Sequence, residues 1–124
     1  MWNIQKIYEF LNSLPPNAPQ VICLTEHYLR AEEVRNINLS QFILGATFSR
    51  QTHIHGGLCI FVSKNIHFST INLDQYNKEK DIEICALKLH ILSYSFTIIC
   101  IYRSPIRNLP LLIKSVRITS EQNL

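Results

Sequence analysis

Apolar residues at Ile4, Ile7, Tyr8, Leu11 and Leu14 recur at three- and four-residue steps. That spacing predicts an amphipathic helix over residues 2–14, stopped by the Pro15-Pro16 pair. The pattern then changes to unbroken apolar runs, Val21-Ile22-Cys23-Leu24 and Leu58-Cys59-Ile60-Phe61-Val62. Runs without alternation predict strands buried on both faces. Residues 41–48 predict another strand, and residues 67–73 alternate, with Ile66, Phe68 and Ile71 turned inward. Residues 82–89 and 96–102 are rich in β-branched and aromatic side chains. The connection at 90–95 is short enough for a hairpin, so these last two strands are expected to be antiparallel neighbours. Residues 28–41 are polar and mixed, with a helical turn around Ala31–Val34, and Asp74–Lys80 is a charged turn. After Pro105 strand character is lost, and Ser115–Leu124 reads as a frayed tail. With about six strands and one clear helix, the expected fold class is α+β, a largely antiparallel sheet with the helix on one face.

Composition sharpens this only slightly. The 124 residues are 47% hydrophobic and 17% charged, enough for a core and far from a disordered composition. A net charge of +3 tolerates a polyanionic partner, but Lys and Arg are scattered rather than clustered. Cys23, Cys59, Cys85 and Cys100 form no C-x-x-C pair and lie in or beside apolar runs, where a free Cys acts as a small hydrophobe. No secretory leader or membrane-length apolar segment is seen, so the expectation is a soluble intracellular chain with reduced thiols and no membrane partner.

Three features carry candidate chemistry. Glu26 follows a buried strand, where a carboxylate can ligate a hard cation such as Mg²⁺; the ordinary alternative is a solvated loop residue. Tyr102-Arg103-Ser104-Pro105 closes an apolar strand with a phenol and a guanidinium, both good donors to phosphate oxygens, or simply with an aromatic strand end and a surface Arg. The stretch from Phe48-Ser49-Arg50 to Gly56-Gly57 is either a substrate-contacting loop or a plain hairpin connection, its glycines supplying positive φ or close backbone approach.

The order of these segments is informative. A helix is followed by Thr25-Glu26-His27, by Ser49-Arg50 with Gly56-Gly57, by Ile82-Glu83-Ile84-Cys85-Ala86, and by a strand into Tyr102-Arg103-Ser104-Pro105. This order resembles the endonuclease/exonuclease/phosphatase superfamily, specifically the apurinic-like endonuclease domain that accompanies the reverse transcriptase of non-LTR retrotransposons. The similarity runs from about Lys6 to about Asn108. It implies a two-layer β-sandwich flanked by helices, present here in part over residues 1–110 with a divergent tail at 111–124. It further implies Mg²⁺-dependent phosphodiester hydrolysis on DNA and, by extension, a nuclear setting. Glu26 matches the family's metal-binding glutamate, and Tyr102 the tyrosine against the scissile phosphate. Arg50 and Arg103 are weaker transfers as substrate contacts, and His27 is given no catalytic role.

The family pattern also contains an active-site asparagine on a strand before the helix, an Asp-x-Asn motif, and a late Ser-Asp-His-type motif. After Pro105 this chain has no Asp, and its last histidine is His90. Loss of general-base assistance alone costs ~10²–10⁴-fold in rate. The expectation is therefore a truncated domain without hydrolysis of its own. One alternative is a nuclease or nucleic-acid-binding module completed by a second fragment or copy, through an exposed sheet face. Another is a small metal-binding protein, using Cys23-x3-His27 and His53-x-His55-x3-Cys59 for zinc, although these spacings match no standard zinc module.

Overall fold

A computed structural model describes residues 4–15, 20–52, 56–103 and 120–122. The helices are α1 (Ile4–Asn12) and α2 (Ala31–Arg35). The strands are β1 (Val21–Thr25), β2 (Phe42–Phe48), β3 (Leu58–Ser63), β4 (His67–Ile71), β5 (Ile82–Ile91), β6 (Tyr94–Arg103) and β7 (Ser120–Gln122). A 3-10 turn occupies Asp74–Tyr76. The strands form two antiparallel sheets, ordered β1-β3-β2 and β4-β5-β6-β7. The mostly antiparallel, helix-poor architecture agrees with the expected α+β class.

The unbroken run in β3 follows from its position. It is the central strand of the first sheet, and that sheet is covered on both faces. Leu58, Ile60 and Val62 pack with Cys85, Leu87, Leu89 and Cys100 of the second sheet. The alternate residues Cys59 and Phe61 pack with Ile7 and Leu11 of α1, Val34 of α2, and Leu24, Leu29, Leu39 and Phe42. A strand buried on both sides has no polar face to present, so alternation disappears from its sequence. The layers run helix, sheet, sheet.

α1 ends before Pro15. The Ser13 N–H donates to the Glu9 carbonyl at 3.1 Å and its hydroxyl to the Phe10 carbonyl at 2.7 Å, satisfying groups that the helix end leaves open. The predicted start at residue 2 and the stop at Pro16 lie outside the described residues.

Three departures from the sequence expectation have physical causes. The β5–β6 hairpin is tighter than a 90–95 loop, because pairing continues to Ile91 opposite Tyr94 and leaves a two-residue connection. Leu92 takes φ 55° there, a conformation whose usual sequence signals, Gly or Asn, are missing. Where a frayed tail is expected, Ser120–Gln122 forms β7 against Tyr94–Phe96. That pairing uses backbone groups on an open sheet edge, which leave little trace in side-chain pattern. Finally, Ile66 and Phe68 pack into the inter-sheet core, whereas Ile71 is out of phase with Phe68 along the strand and is not packed there.

Candidate functional site

Pairing registers bring one set of strand ends together. Thr25, the last residue of β1, pairs with Leu58, the first of β3. Ile82 and Glu83 at the start of β5 pair with Arg103 and Tyr102 at the end of β6. Two facing sheets therefore deliver Glu26, Arg50, Gly56-Gly57, Glu83 and Tyr102 to the same end of the molecule.

At the centre lies Glu83, 0% exposed. Its position in β5 has the phase of Cys85 and Leu87, so the side chain turns into the gap between the sheets. A buried carboxylate must be paired and hydrogen-bonded to be tolerated. Oε2 accepts from Arg50 Nε at 2.5 Å and from the Lys80 N–H at 2.9 Å, and Oε1 accepts from the Gly57 N–H at 3.1 Å. The Arg50 side chain is only 9% exposed. Its Cζ lies 6.0 Å from the centroid of the Tyr102 ring, at the outer limit of a cation–π contact.

The loop holding Arg50 is clamped from two directions. Arg30 Nη1 donates to the carbonyls of Arg50 and Gln51, at 3.3 and 3.2 Å. Arg30 is itself set at the start of α2, where its N–H donates to the Glu33 carboxylate at 2.9 Å. From the β4–β5 connection, the Glu79 carboxylate accepts from the Gln51 N–H, the Thr52 N–H and the Thr52 hydroxyl. These interactions hold Arg50 against Glu83 without any regular secondary structure.

Gly56 and Gly57 are needed for both reasons expected of them. Their φ angles are 76° and 93°, and a Cβ on Gly56 would overlap the Arg50 guanidinium while one on Gly57 would overlap the His27 ring. His27 is fully buried. Its Nδ1 accepts from the Leu29 N–H at 2.9 Å, which puts the ring proton on Nε2. Among the described residues Nε2 meets no acceptor at hydrogen-bonding geometry. Burial lowers the His27 pKa, outweighing the nearby carbonyls of Phe48 and Leu58 and the negative charges of Glu83 and Glu33, all of which favour the protonated ring.

The segment bearing Glu26 is laid along the glycines. The His27 N–H donates to the Gly57 carbonyl at 3.4 Å, and the Tyr28 N–H to the Gly56 carbonyl at 2.8 Å. On either side of His27, Glu26 and Tyr28 take φ 53° and 65°. For non-glycine residues such conformations cost about 1–3 kcal/mol each and persist only where surrounding contacts impose them. The Glu26 side chain is exposed, and among the described residues no hydrogen bond or ion pair engages it.

Of the residues singled out in the sequence, Glu26 and Tyr102 thus sit at one end of the fold, with Arg50 between the sheets there. The Arg50 Nε is engaged by Glu83. Arg103 succeeds Tyr102 on the strand and so turns to the opposite sheet face, where its Nε is buried without a partner among the described residues. Glu83 stands in the sequence only within the Ile82–Ala86 segment, with no role assigned to it there. Its signal was a lone acid flanked by Ile82 and Ile84 at the start of an apolar strand, with an arginine available in an earlier loop.

The donor set is thin for a metal. Among the described residues no group of three or more His, Cys, Asp or Glu side chains is placed to hold an ion. Glu83 is committed to Arg50, which leaves Glu26 as a single exposed carboxylate, so a Mg²⁺ ion here would draw its other ligands from water and substrate phosphates. For zinc, His27 spends Nδ1 on a backbone N–H and Cys59 packs in the helix-side core. His53 and His55 lie outside the described residues. Among the described residues no helix is long and apolar enough to cross a membrane. No family model, curated protein or solved structure matches the chain.

Proposed function

We propose that this chain is a partial endonuclease/exonuclease/phosphatase-type domain, of the kind that cuts DNA for non-LTR retrotransposons, with Glu26 on its metal side and Tyr102 on its phosphate side. One observation carries the reading. A carboxylate that no described residue engages and a phenol are borne by strand ends of two facing antiparallel sheets, at the same end of the sandwich. Tyr102 is packed against the inter-sheet core, which limits the positions its hydroxyl can take. In-line attack on a phosphodiester also requires a positioned, activated water and charge stabilisation. Glu26 and Tyr102 supply neither a base for that water nor a complete cation site, so the 124 residues alone bind DNA without cutting it.

The test uses a short DNA duplex in an anisotropy titration, alongside a plasmid-nicking assay with Mg²⁺. Binding is expected, with Tyr102→Phe about fivefold weaker, as loss of one hydrogen bond of ~1 kcal/mol requires. Duplex affinity that Tyr102→Phe leaves unchanged removes the phosphate role. Robust Mg²⁺-dependent nicking abolished by Glu26→Ala would overturn the claim that these residues cannot cut.

A second reading, completion by another copy or fragment, rests on the unequal length of the sheets. β5 and β6 each have ten residues, against five to seven in β1, β2 and β3. Their hairpin end overhangs, leaving Ile91, Leu92, Tyr94 and Phe96 exposed, Leu92 at 95%. Light scattering after size exclusion decides it: a monodisperse dimer that Leu92→Glu converts to monomer supports completion, and a monomer at all concentrations excludes self-completion.

A further inference from the structure

We infer that Glu83 is a positioning residue for both halves of this end of the fold, holding the Glu26 segment on one side and the Tyr102 ring on the other. The inference rests on the reading of Glu26 and Tyr102 given above, and it concerns a residue to which that reading assigns nothing. Fully buried, Glu83 cannot itself touch a substrate, so any influence it has must pass through the groups bonded to it.

Two paths leave the carboxylate. Through Oε1 it fixes the Gly57 N–H, and the Gly56 and Gly57 carbonyls accept from Tyr28 and His27. The imidazole lies on the face of Gly57 that a Cβ would occupy. Glu26 is the residue just before this zipped segment, and its φ of 53° is the conformation the zipper imposes. Through Oε2 the carboxylate fixes Arg50 Nε, which sets the guanidinium over Tyr102. Glu83 and Tyr102 are also direct cross-strand partners, so the ring is bounded by the carboxylate's own strand and by the arginine it holds. The Lys80 N–H, from a residue at φ 71°, fixes the carboxylate from the loop behind β5. One anion thereby links the β2–β3 connection to the β4–β5 connection and, through Gly57, to the segment after β1.

The experiment compares the wild-type chain with Glu83→Gln by backbone and aromatic NMR, with no metal or DNA present. The carboxamide keeps the size of the side chain and removes its charge. Glu26 and Tyr28 are expected to lose the strong intraresidue amide-to-Hα contact that marks positive φ. The Gly57 amide and the Tyr102 ring signals should shift, while the amides at the centres of β3 and β5 keep their positions. A merely structural Glu83 would lower the melting temperature and leave Glu26, Tyr28 and Tyr102 unchanged in the folded protein, and that result would overturn the inference. Should Glu83→Gln not fold, Arg50→Lys serves instead, because it keeps the charge and removes the Nε–H that Oε2 accepts. It must shift Tyr102 and the Gly57 amide together, and a shift in neither refutes the coupling. Since neither readout involves DNA, failure of DNA binding counts against the proposed function only, and an unmoved Glu26 segment counts against this inference only.

Discussion

The imidazole of His27 occupies the space in which a side chain at residue 57 would have to begin, and Gly57 holds φ 93° beneath it. The two residues belong to neighbouring strand ends, β1 and β3, and their contact closes the first sheet at the end that carries Glu26. Gly57→Ala meets both a steric overlap with the ring and an unfavourable backbone conformation. It should destabilise the chain by roughly 2–5 kcal/mol, from positive-φ and overpacking costs together. Urea midpoints read this directly, and a change under about 0.5 kcal/mol, the range of an ordinary surface substitution, would show that the close contact is not maintained in solution.

Stability should depend on pH through the same histidine. Burial holds the folded pKa of His27 below its ordinary value of 6.5. Above that value the ring is neutral in folded and unfolded chains, and it adds no pH dependence. As pH falls below it, the unfolded chain takes up a proton that the folded chain refuses, so stability drops until the folded pKa is reached. Melting temperatures measured at pH 7.5, 6.5 and 5.5 should fall across the series, with a shallower slope in His27→Gln. Equal slopes in the two proteins would mean that the ring is solvated.

The Arg50–Glu83 pair should behave as a buried ion pair rather than a surface one, given the exposure of 9% and 0% for the two side chains. Arg50→Met alone strands a carboxylate among apolar groups and should cost about 3–5 kcal/mol. Arg50→Met with Glu83→Leu removes the stranded charge and should be less destabilising than Arg50→Met alone. A double-mutant cycle by chemical denaturation checks this, and additive effects would count against a direct pair.

Thiol chemistry should be suppressed in the folded chain. All four cysteines are free. Burial is the main cause that pushes Cys59 up to about 12. At Cys100 the contact with the Cys23 thiol acts downward, but the contact with Cys85 and burial outweigh it and carry the value to about 12. Cys23 is exposed as a residue, yet contact with the Cys100 thiol, then burial, pushes it upward too. Since the thiolate is the reactive form, alkylation of Cys59 and Cys100 at pH 7.5 should be on the order of a hundredfold or more slower than in urea. Peptide mapping after a timed pulse of iodoacetamide gives the rates, and native labelling as fast as denatured labelling would show these thiols to be open to solvent.

Much of the architecture is legible from local pattern, for a definite reason. Burial on one face of a helix or on both faces of a strand constrains every residue of the element. The steps Ile7, Tyr8, Leu11 and the unbroken Leu58–Val62 run therefore announce α1 and β3 without reference to anything distant. Polar turns could be placed from the gaps between those runs, and the double glycine could be recognised as a backbone requirement. Candidate chemistry was legible only as residue types at strand ends, and Glu26 and Tyr102 stood out because charged or phenolic groups end apolar runs.

What sequence alone determined was thus the kind and order of the elements, because propensity and burial act over a few residues. Partnership was decided only by tertiary structure. Arg50 and Glu83 are thirty-three positions apart, and which cation a buried carboxylate meets depends on how two sheets stack. The tight turn at Leu92 and the pairing of Ser120–Gln122 on β6 were hidden likewise, since backbone hydrogen bonds across a sheet edge are nearly indifferent to side chain. The placement of Arg103 on the face opposite Tyr102 is a matter of strand alternation, which needs the strand's orientation before it says anything about a site.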